Sequence, residues 1–139
     1  MKLGIVSDLH CNIDGLDRAL ETMGGIDALL CLGDSIYQYR FSNEVIGRLR
    51  EREALTILGN HEEVFLGVGG ARARSHQDID QRSLDWLTER PHRHELRIGG
   101  KRVLMVHSTP WEPRGAYVHP SSSELERFGE ADADIVLYG

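Results

Sequence analysis

The sequence predicts an α/β fold, and two observations lead to this prediction. Short apolar strands alternate with amphipathic helical segments through the first two thirds of the chain. A glycine pair, Gly99-Gly100, then separates two further apolar strands. Alternating strands and helices favour parallel pairing, whereas a two-residue glycine turn favours a type I′ antiparallel hairpin. We therefore expect both kinds of strand pairing, in an α/β or α+β architecture.

The individual elements follow from apolar spacing and from capping residues. The first strand is expected at Lys2–Ser7, an apolar and partly β-branched run. Asp14 is expected to cap the next helix, whose apolar residues recur at helical spacing until Gly24-Gly25. The same signals predict strands at Asp27–Leu32, Ala54–Leu58, His94–Ile98, Lys101–His107 and Asp134–Tyr138, and helices at Ser42–Arg52, Glu62–Leu66, Ile79–Glu89 and Ser121–Ala131.

Composition restricts the class of protein. The 139 residues are 40% hydrophobic and 27% charged, which is typical of a single globular domain spanning residues 1–139. A net charge of −6 without a basic stretch disfavours nucleic-acid binding by charge alone. No apolar run is long enough for a membrane span, and no signal peptide is evident, so a cytoplasmic protein is expected.

Cys11 and Cys31 lack CxxC spacing and are expected to be reduced thiols. Homo-oligomerisation stays open.

Polar residues follow several of the predicted strands. Three consecutive strands run into such residues, and open α/β sheets bind ligands at these carboxyl ends. The side chains offer oxygen and nitrogen donors, which suit Mn²⁺, Fe or Zn²⁺. Asp8 and His10 are two residues apart in extended chain and could chelate one ion, while Asp34 could bridge a second. The motifs are Asp8-x-His10, Gly33-Asp34, Gly59-Asn60-His61-Glu62 and His107-Ser-Thr-Pro.

In this order and spacing, the four motifs resemble those of the calcineurin-like metallophosphoesterase superfamily, and they are most similar to its small prokaryotic phosphoesterases. The resemblance covers essentially the whole chain. It implies two mixed β-sheets packed as a sandwich with helices on the outer faces, a four-layer αββα arrangement. It also implies a metal-dependent enzyme that hydrolyses phosphomonoesters or phosphodiesters with a water activated by two metal ions.

The resemblance further implies the roles of individual residues. One metal ion would be held by Asp8, His10 and Asp34, and the other by Asp34, Asn60 and His107. Mn²⁺ is the first expectation for both, with Fe, Zn²⁺ or Ni²⁺ as alternatives. His61 would be the catalytic residue, either protonating the leaving oxygen or stabilising charge in the transition state. The expected partner is a small phosphoester substrate.

The remaining expectations concern the C-terminal end of the domain and two residues near the motifs, Glu62 and Trp111. The family continues its last strand into Gly-His-x-His, so this chain, ending at Gly139, is expected to be a C-terminally truncated domain whose activity is open. The alternatives are a weak or inactive relative acting as an interaction scaffold, or an α/β domain without metal. Glu62 is expected to be a helix N-terminal acid favoured by the helix dipole. Trp111 could line a pocket for a base or an aromatic ester.

Overall fold

The computed structural model describes residues 1–115 and 117–139 and contains two three-stranded β-sheets. The first sheet is parallel, in the order β1 (Leu3–Val6), β2 (Ala28–Cys31) and β3 (Leu55–Thr56). Helix α1 (Ile13–Met23) connects β1 to β2, and helix α2 (Asn43–Glu51) connects β2 to β3. This is the βαβ pattern predicted from the alternation of strand and helix signals.

The second sheet is mixed. Strands β4 (Arg93–Ile98) and β5 (Lys101–Val106) form an antiparallel hairpin, and β6 (Ile135–Tyr138) pairs parallel to β5. Gly99 and Gly100 connect the hairpin with φ of +56° and +79°, the left-handed values that a type I′ turn requires at both positions. The α/β prediction with two sheets is therefore confirmed.

The two sheets pack against each other through alternating side chains. Leu30 of the first sheet and Ile57, the residue after β3, meet Met105 of the second sheet, and all three are fully buried. The opposite side chains of the first sheet, including Leu29 and Cys31, pack against the helices. The two layers of apolar contact hold the ends of the strands in fixed positions. Helical side chains on this side are Leu16 and Leu20 of α1, and Val45, Ile46 and Leu49 of α2.

The segment between β3 and β4 contains three helices: α3 (Asn60–Leu66), the single-turn α4 (Ala71–Arg74) and α5 (Gln81–Thr88). A 3₁₀ turn at Val68–Gly70 separates α3 from α4. Between β5 and β6 the predicted helix is a 3₁₀ segment, Ser123–Glu130. Within the described ranges, no helix has both the length and the apolar composition to cross a membrane.

The N-terminal cap of α1 differs from the prediction. Asn12, rather than Asp14, is the cap residue, and its side-chain oxygen accepts a hydrogen bond of 2.8 Å from Gly15 N–H. Asp14 instead lies in the first turn, where its charge is favourable to the helix dipole. Both residue types cap helices well, so spacing alone could not separate them. The shift brings the helix start two residues closer to the end of β1.

Candidate metal centre

The polar residues that follow the strands are brought together at one edge of the molecule. Asp8 follows β1, Asp34 follows β2, and Asn60 and His61 open α3, the helix that follows β3. His107 follows β5 in the other sheet, and its Nδ1 lies 2.7 Å from the carbonyl oxygen of Leu32. Because a carbonyl oxygen can only accept, His107 Nδ1 is the donor. The contact fastens the end of the second sheet to the end of the first.

The loop after β1 has strained backbone and is not the extended chain expected for Asp8 and His10. Asp8, His10 and Cys11 have φ of +53°, +46° and +65°, and Asp34 in the loop after β2 has φ of +52°. Left-handed conformations of non-glycine residues cost about 1–3 kcal/mol each and persist only where the surroundings enforce them. Here the two loops enforce each other, because Asp8 N–H donates to Gly33 O at 3.1 Å and His10 N–H donates to Asp34 O at 2.9 Å.

Glu62 joins the loop after β2 to the start of α3. Its carboxylate is completely buried. One oxygen accepts from the N–H groups of Asp34 and Gly59, each at 2.9 Å. The other accepts from Ser35 Oγ at 2.6 Å and from Ile36 N–H at 3.1 Å. Glu62 is therefore a buried clamp between two loops, which goes beyond the dipole role expected from sequence, although it does sit in the first turn of α3.

The two loops approach so closely that one position requires glycine. A Cβ atom on Gly59 would lie 2.6 Å from the backbone nitrogen of Asp34, closer than any side chain tolerates. The bare backbone lets His61 N–H donate to Asp34 Oδ1 at 2.9 Å. The Asp34 carboxylate is thus oriented by α3 before any ligand is considered.

Among the residues that the structure describes, two groups of side chains have donor atoms close enough to hold a metal ion. In the first, donor atoms of Asp8, Asp34 and His107 all lie within 4.8 Å of one another. In the second, donor atoms of His10, Asp34 and His61 do so. Asp34 belongs to both groups, and its Oδ2 lies 3.3 Å from His107 Nε2 and 3.8 Å from His61 Nε2.

Asn60 completes the set of residues predicted as ligands. Its Oδ1 lies 2.9 Å from His107 Nε2, on the same side as Asp34 Oδ2. His10 Nε2 lies 3.6 Å from Asp8 Oδ1. The structure therefore gathers Asp8, His10, Asn60, His61 and His107 around the carboxylate of Asp34, and its distances group Asp8 with His107 and His10 with His61. The assignment of each residue to one ion stays a prediction.

The chemistry of these atoms fits a divalent cation. His107 uses Nδ1–H to bond Leu32, so the lone pair of its neutral ring faces the oxygens of Asp34 and Asn60. Electron-rich atoms that converge in this way need a proton or a cation between them. Among the described residues, the buried Nδ1 of His10 has no hydrogen-bond partner. The donor set of carboxylate, amide and imidazole suits Mn²⁺, Fe or Zn²⁺.

The raised pKa of His107 also indicates that positive charge is favoured beside Asp34. Burial alone would lower the pKa of this imidazole, but its hydrogen bond to Asp34 and the Asp34 charge raise the pKa to about 9. Burial likewise opposes the charge on Asp34, yet hydrogen bonds from His107 and the His61 N–H keep its carboxyl pKa below the usual value. Burial raises the pKa of Cys31 to about 12, so a thiolate is not available there.

His61 differs from His107 in its backbone partner. The N–H of Gln38 donates to His61 Nδ1 at 3.0 Å, so Nδ1 must carry a lone pair. In the neutral ring the proton is then on Nε2, which faces Asp34 Oδ2. The exposed ring of Tyr37 covers this side, with centroids 4.7 Å from His61 and 5.1 Å from His10. His61 therefore presents a hydrogen-bond donor toward the centre.

Three residues at the site were not assigned to it from sequence. Glu62 could have been found from its position three residues after Gly59, the spacing of a capping box. Tyr37 and Tyr117 carry no local signal, because their contacts join distant segments; the Tyr117 hydroxyl donates to Asn60 Oδ1 at 2.9 Å. Trp111 packs under the Arg127 guanidinium, 4.1 Å from the ring centre, and edge-on to Phe128. It lines a surface pocket together with Arg127, and the ligand expected there stays a prediction.

This arrangement defines a class of protein, an α/β fold with a candidate metal centre at the carboxyl ends of its strands. Comparison with known proteins identifies the family. The calcineurin-like phosphoesterase superfamily domain matches residues 1–139, and the chain belongs to this family.

Individual relatives agree with the family. A bis(5′-nucleosyl)-tetraphosphatase (symmetrical) of Paracidovorax citrulli is 30% identical, with 100% of this chain and 57% of that protein covered. An uncharacterized protein of Methanocaldococcus jannaschii is 29% identical over 80% of this chain and 51% of its own length. The chain thus spans little more than half the length of these curated relatives. A metallophosphoesterase structure from Sphaerobacter thermophilus shares the fold, with a TM-score of 0.77, 24% identity and coverage of 100% of this chain and 59% of its own.

Replacing Glu62 by glutamine tests the buried clamp. The amide has one acceptor oxygen instead of two and turns an NH₂ group toward backbone or hydroxyl donors. We expect the free energy of unfolding to fall by about 3 kcal/mol, measured by urea denaturation. The neighbouring Glu63→Gln is the matched control, because Glu63 makes a surface ion pair with Arg114 and should cost less than about 1 kcal/mol. Equal losses in the two variants would contradict the clamp.

The His107 pKa predicts how stability depends on pH in EDTA-treated protein. The folded pKa of about 9 lies above the ordinary value of 6.5, so the folded state binds this proton more tightly. The stabilisation is complete below pH 6.5 and is lost as the pH rises to about 9. We expect the free energy of unfolding to fall across this window in wild type, relative to His107→Gln. The control His119→Gln, at an exposed histidine, should show the same dependence of unfolding free energy on pH as wild type. Parallel profiles for wild type and His107→Gln would contradict the ion pair between His107 and Asp34.

Proposed function

We propose that this chain carries the centre of a metal-dependent phosphoesterase that hydrolyses phosphomonoesters or phosphodiesters. The observation that carries the proposal is the Asp34 carboxylate, which is shared by two groups of potential metal ligands. The family match over residues 1–139 supports the same reaction class. The proposal therefore stands on the site geometry and on family membership together.

The ligand assignment of the proposal follows the family motifs and differs from the two distance groups, since it pairs Asp8 with His10 and places no ion on His61. Asp8, His10 and Asp34 would hold one ion, and Asp34, Asn60 and His107 the other, with Mn²⁺ as the preferred metal. When bound, two such ions supply a water nucleophile of lowered pKa and neutralise charge on the phosphoryl group. The carbonyl of Leu32 orients the His107 ring for this purpose, since its bond to Nδ1 turns Nε2 toward Asn60 Oδ1 and Asp34 Oδ2.

Residues of the chain prepare the site before substrate arrives. The His61 N–H holds Asp34 Oδ1, which leaves Oδ2 directed toward His107 and the His61 ring. The Glu62 clamp keeps the backbone of Asp34 against Gly59. Because these contacts are formed without ligand, little reorganisation is needed at the moment of reaction.

His61 acts in this proposal as a hydrogen-bond donor. Its Nδ1 accepts from Gln38, so a neutral ring has a single proton, on Nε2. Complete transfer of that proton to a leaving oxygen would produce an imidazolate, which is unfavourable. Donation from Nε2–H to a phosphoryl or leaving-group oxygen stabilises developing charge without this penalty. Of the two roles expected from sequence, charge stabilisation fits the geometry better.

The substrate class proposed is a small nucleotide-derived phosphoester. The Paracidovorax citrulli relative is named for a bis(5′-nucleosyl) tetraphosphate. The exposed ring of Tyr37 beside His61 offers an aromatic surface close to where a leaving group would lie. Stacking of a planar group on such a ring is worth about 1–3 kcal/mol per base.

Hydrolysis assays test the proposed reaction. The chain loaded with Mn²⁺ is given p-nitrophenyl phosphate, bis-p-nitrophenyl phosphate and diadenosine tetraphosphate, with EDTA-treated protein as the blank. We expect turnover of at least one ester, reduced more than about 100-fold in Asp34→Asn, because the shared carboxylate is weakened as a ligand. Mn²⁺-loaded protein that cleaves none of the three would overturn the assignment.

The His61→Asn variant separates ligand from donor. Since the proposal places no ion on His61, the variant should bind the same amount of Mn²⁺ as wild type. Turnover should fall by about 10²–10³-fold, the effect of removing one donor to developing charge. His119→Asn serves as the control for replacing an exposed histidine. Loss of bound Mn²⁺ in His61→Asn would show that His61 is a ligand.

A further inference from the structure

Tyr117 makes a contact with the candidate metal centre that the family motifs do not include. Its hydroxyl donates to Asn60 Oδ1 at 2.9 Å. The same oxygen lies 2.9 Å from His107 Nε2, which is itself 3.3 Å from Asp34 Oδ2. The Tyr117 hydroxyl therefore contacts Asn60 Oδ1, the first atom in a row of polar contacts that continues through His107 Nε2 to Asp34 Oδ2.

The loop that carries Tyr117 is held against α3 at a second point. Arg114 Nε donates to Glu63 Oε1 at 2.9 Å, and Glu63 lies three residues after Asn60. Residues three apart on a helix lie on the same face. Arg114 and Tyr117 thus contact α3 at two residues on one side, Glu63 and Asn60.

The start of this loop is internally braced. Ser108 Oγ donates to the carbonyl of Gly115 at 2.9 Å. Thr109 Oγ1 both donates to Glu112 O at 3.1 Å and accepts from Glu112 N–H at 3.0 Å. Ser108 and Thr109 are buried beside His107, so the loop leaves the site from an anchored start.

We propose that Tyr117 is a positioning residue for Asn60, selecting the carbonyl end of its amide for the metal; this inference rests on the proposed function. An asparagine side chain has an oxygen that can ligate a cation and an NH₂ group that cannot. The hydroxyl of Tyr117 occupies one lone pair of Oδ1 and leaves the second directed toward His107 and Asp34. Rotation of the amide would break this bond and turn NH₂ toward the centre.

Such support has a characteristic effect on metal affinity. Groups that orient a ligand by hydrogen bonding change metal affinity by about 10–100-fold when they are removed. Tyr117 itself is 62% exposed, so its hydroxyl contributes little to folding. A Tyr117→Phe variant therefore removes the orienting bond while leaving the ring and the fold in place.

The test measures Mn²⁺ binding to the EDTA-treated chain by calorimetric titration, with Mn²⁺ as the only ligand added. In Tyr117→Phe we expect one Mn²⁺ site to be weakened about 10–100-fold and the other to keep its wild-type affinity. The thermal midpoint of the metal-free variant should equal that of wild type, which a merely structural role would not predict. Tyr39→Phe is the matched control, because this tyrosine is 59% exposed and lies outside the centre.

The outcomes distinguish the inference from the function on which it rests. Wild-type affinity at both sites in Tyr117→Phe would overturn the positioning role while leaving the proposed phosphoesterase intact. Equal weakening in Tyr39→Phe would also overturn it, since the effect would not be specific to the Asn60 contact. Failure of wild type to bind Mn²⁺ would overturn the proposed function and the inference together.

Discussion

The buried carboxylate of Glu62 is the interaction on which the candidate site depends. It accepts four hydrogen bonds, three from backbone N–H groups and one from Ser35. These donors belong to two loops that are distant in sequence, one after β2 and one at the start of α3. Since unpaired buried N–H groups are costly, the loops are stable in this position only while the carboxylate is present. Asp34 and Asn60 owe their proximity to this clamp.

The clamp stabilises an arrangement that is unfavourable by itself. The loop after β1 and Asp34 hold several non-glycine residues at positive φ, and Asp34 and His107 are buried ionisable groups. In the metal-free chain a proton on His107 offsets the charge of Asp34, which is why its pKa rises to about 9. A cation at this position competes with that proton, so folding and metal binding use the same two side chains. Strain and unbalanced charge are concentrated where the chemistry is proposed to occur.

Much of this architecture could be predicted from local patterns. Apolar spacing was sufficient for the alternating strands and helices, and Gly99-Gly100 for the hairpin, because these depend on residues adjacent in sequence. The predicted cap residue of α1, Asp14, was wrong because Asn12 and Asp14 are equally good caps, and only the observed hydrogen bond decides between them. The role of Glu62 and the contacts of Tyr37 and Tyr117 could not be predicted, since each joins segments more than twenty residues apart.

His61 and His107 show why two motif residues of the same type can differ in chemistry. His107 Nδ1 donates to the Leu32 carbonyl, so in the neutral ring Nε2 carries the lone pair, and that atom is suitable for a cation once its proton is lost. His61 Nδ1 accepts from the Gln38 N–H, which places the proton on Nε2 and makes that atom a donor. Both Nε2 atoms face the same carboxylate oxygen of Asp34. A backbone carbonyl behind one ring and a backbone N–H behind the other therefore give the two neutral rings opposite tautomers, and the proposed roles of ligand for His107 and donor for His61 follow from this difference.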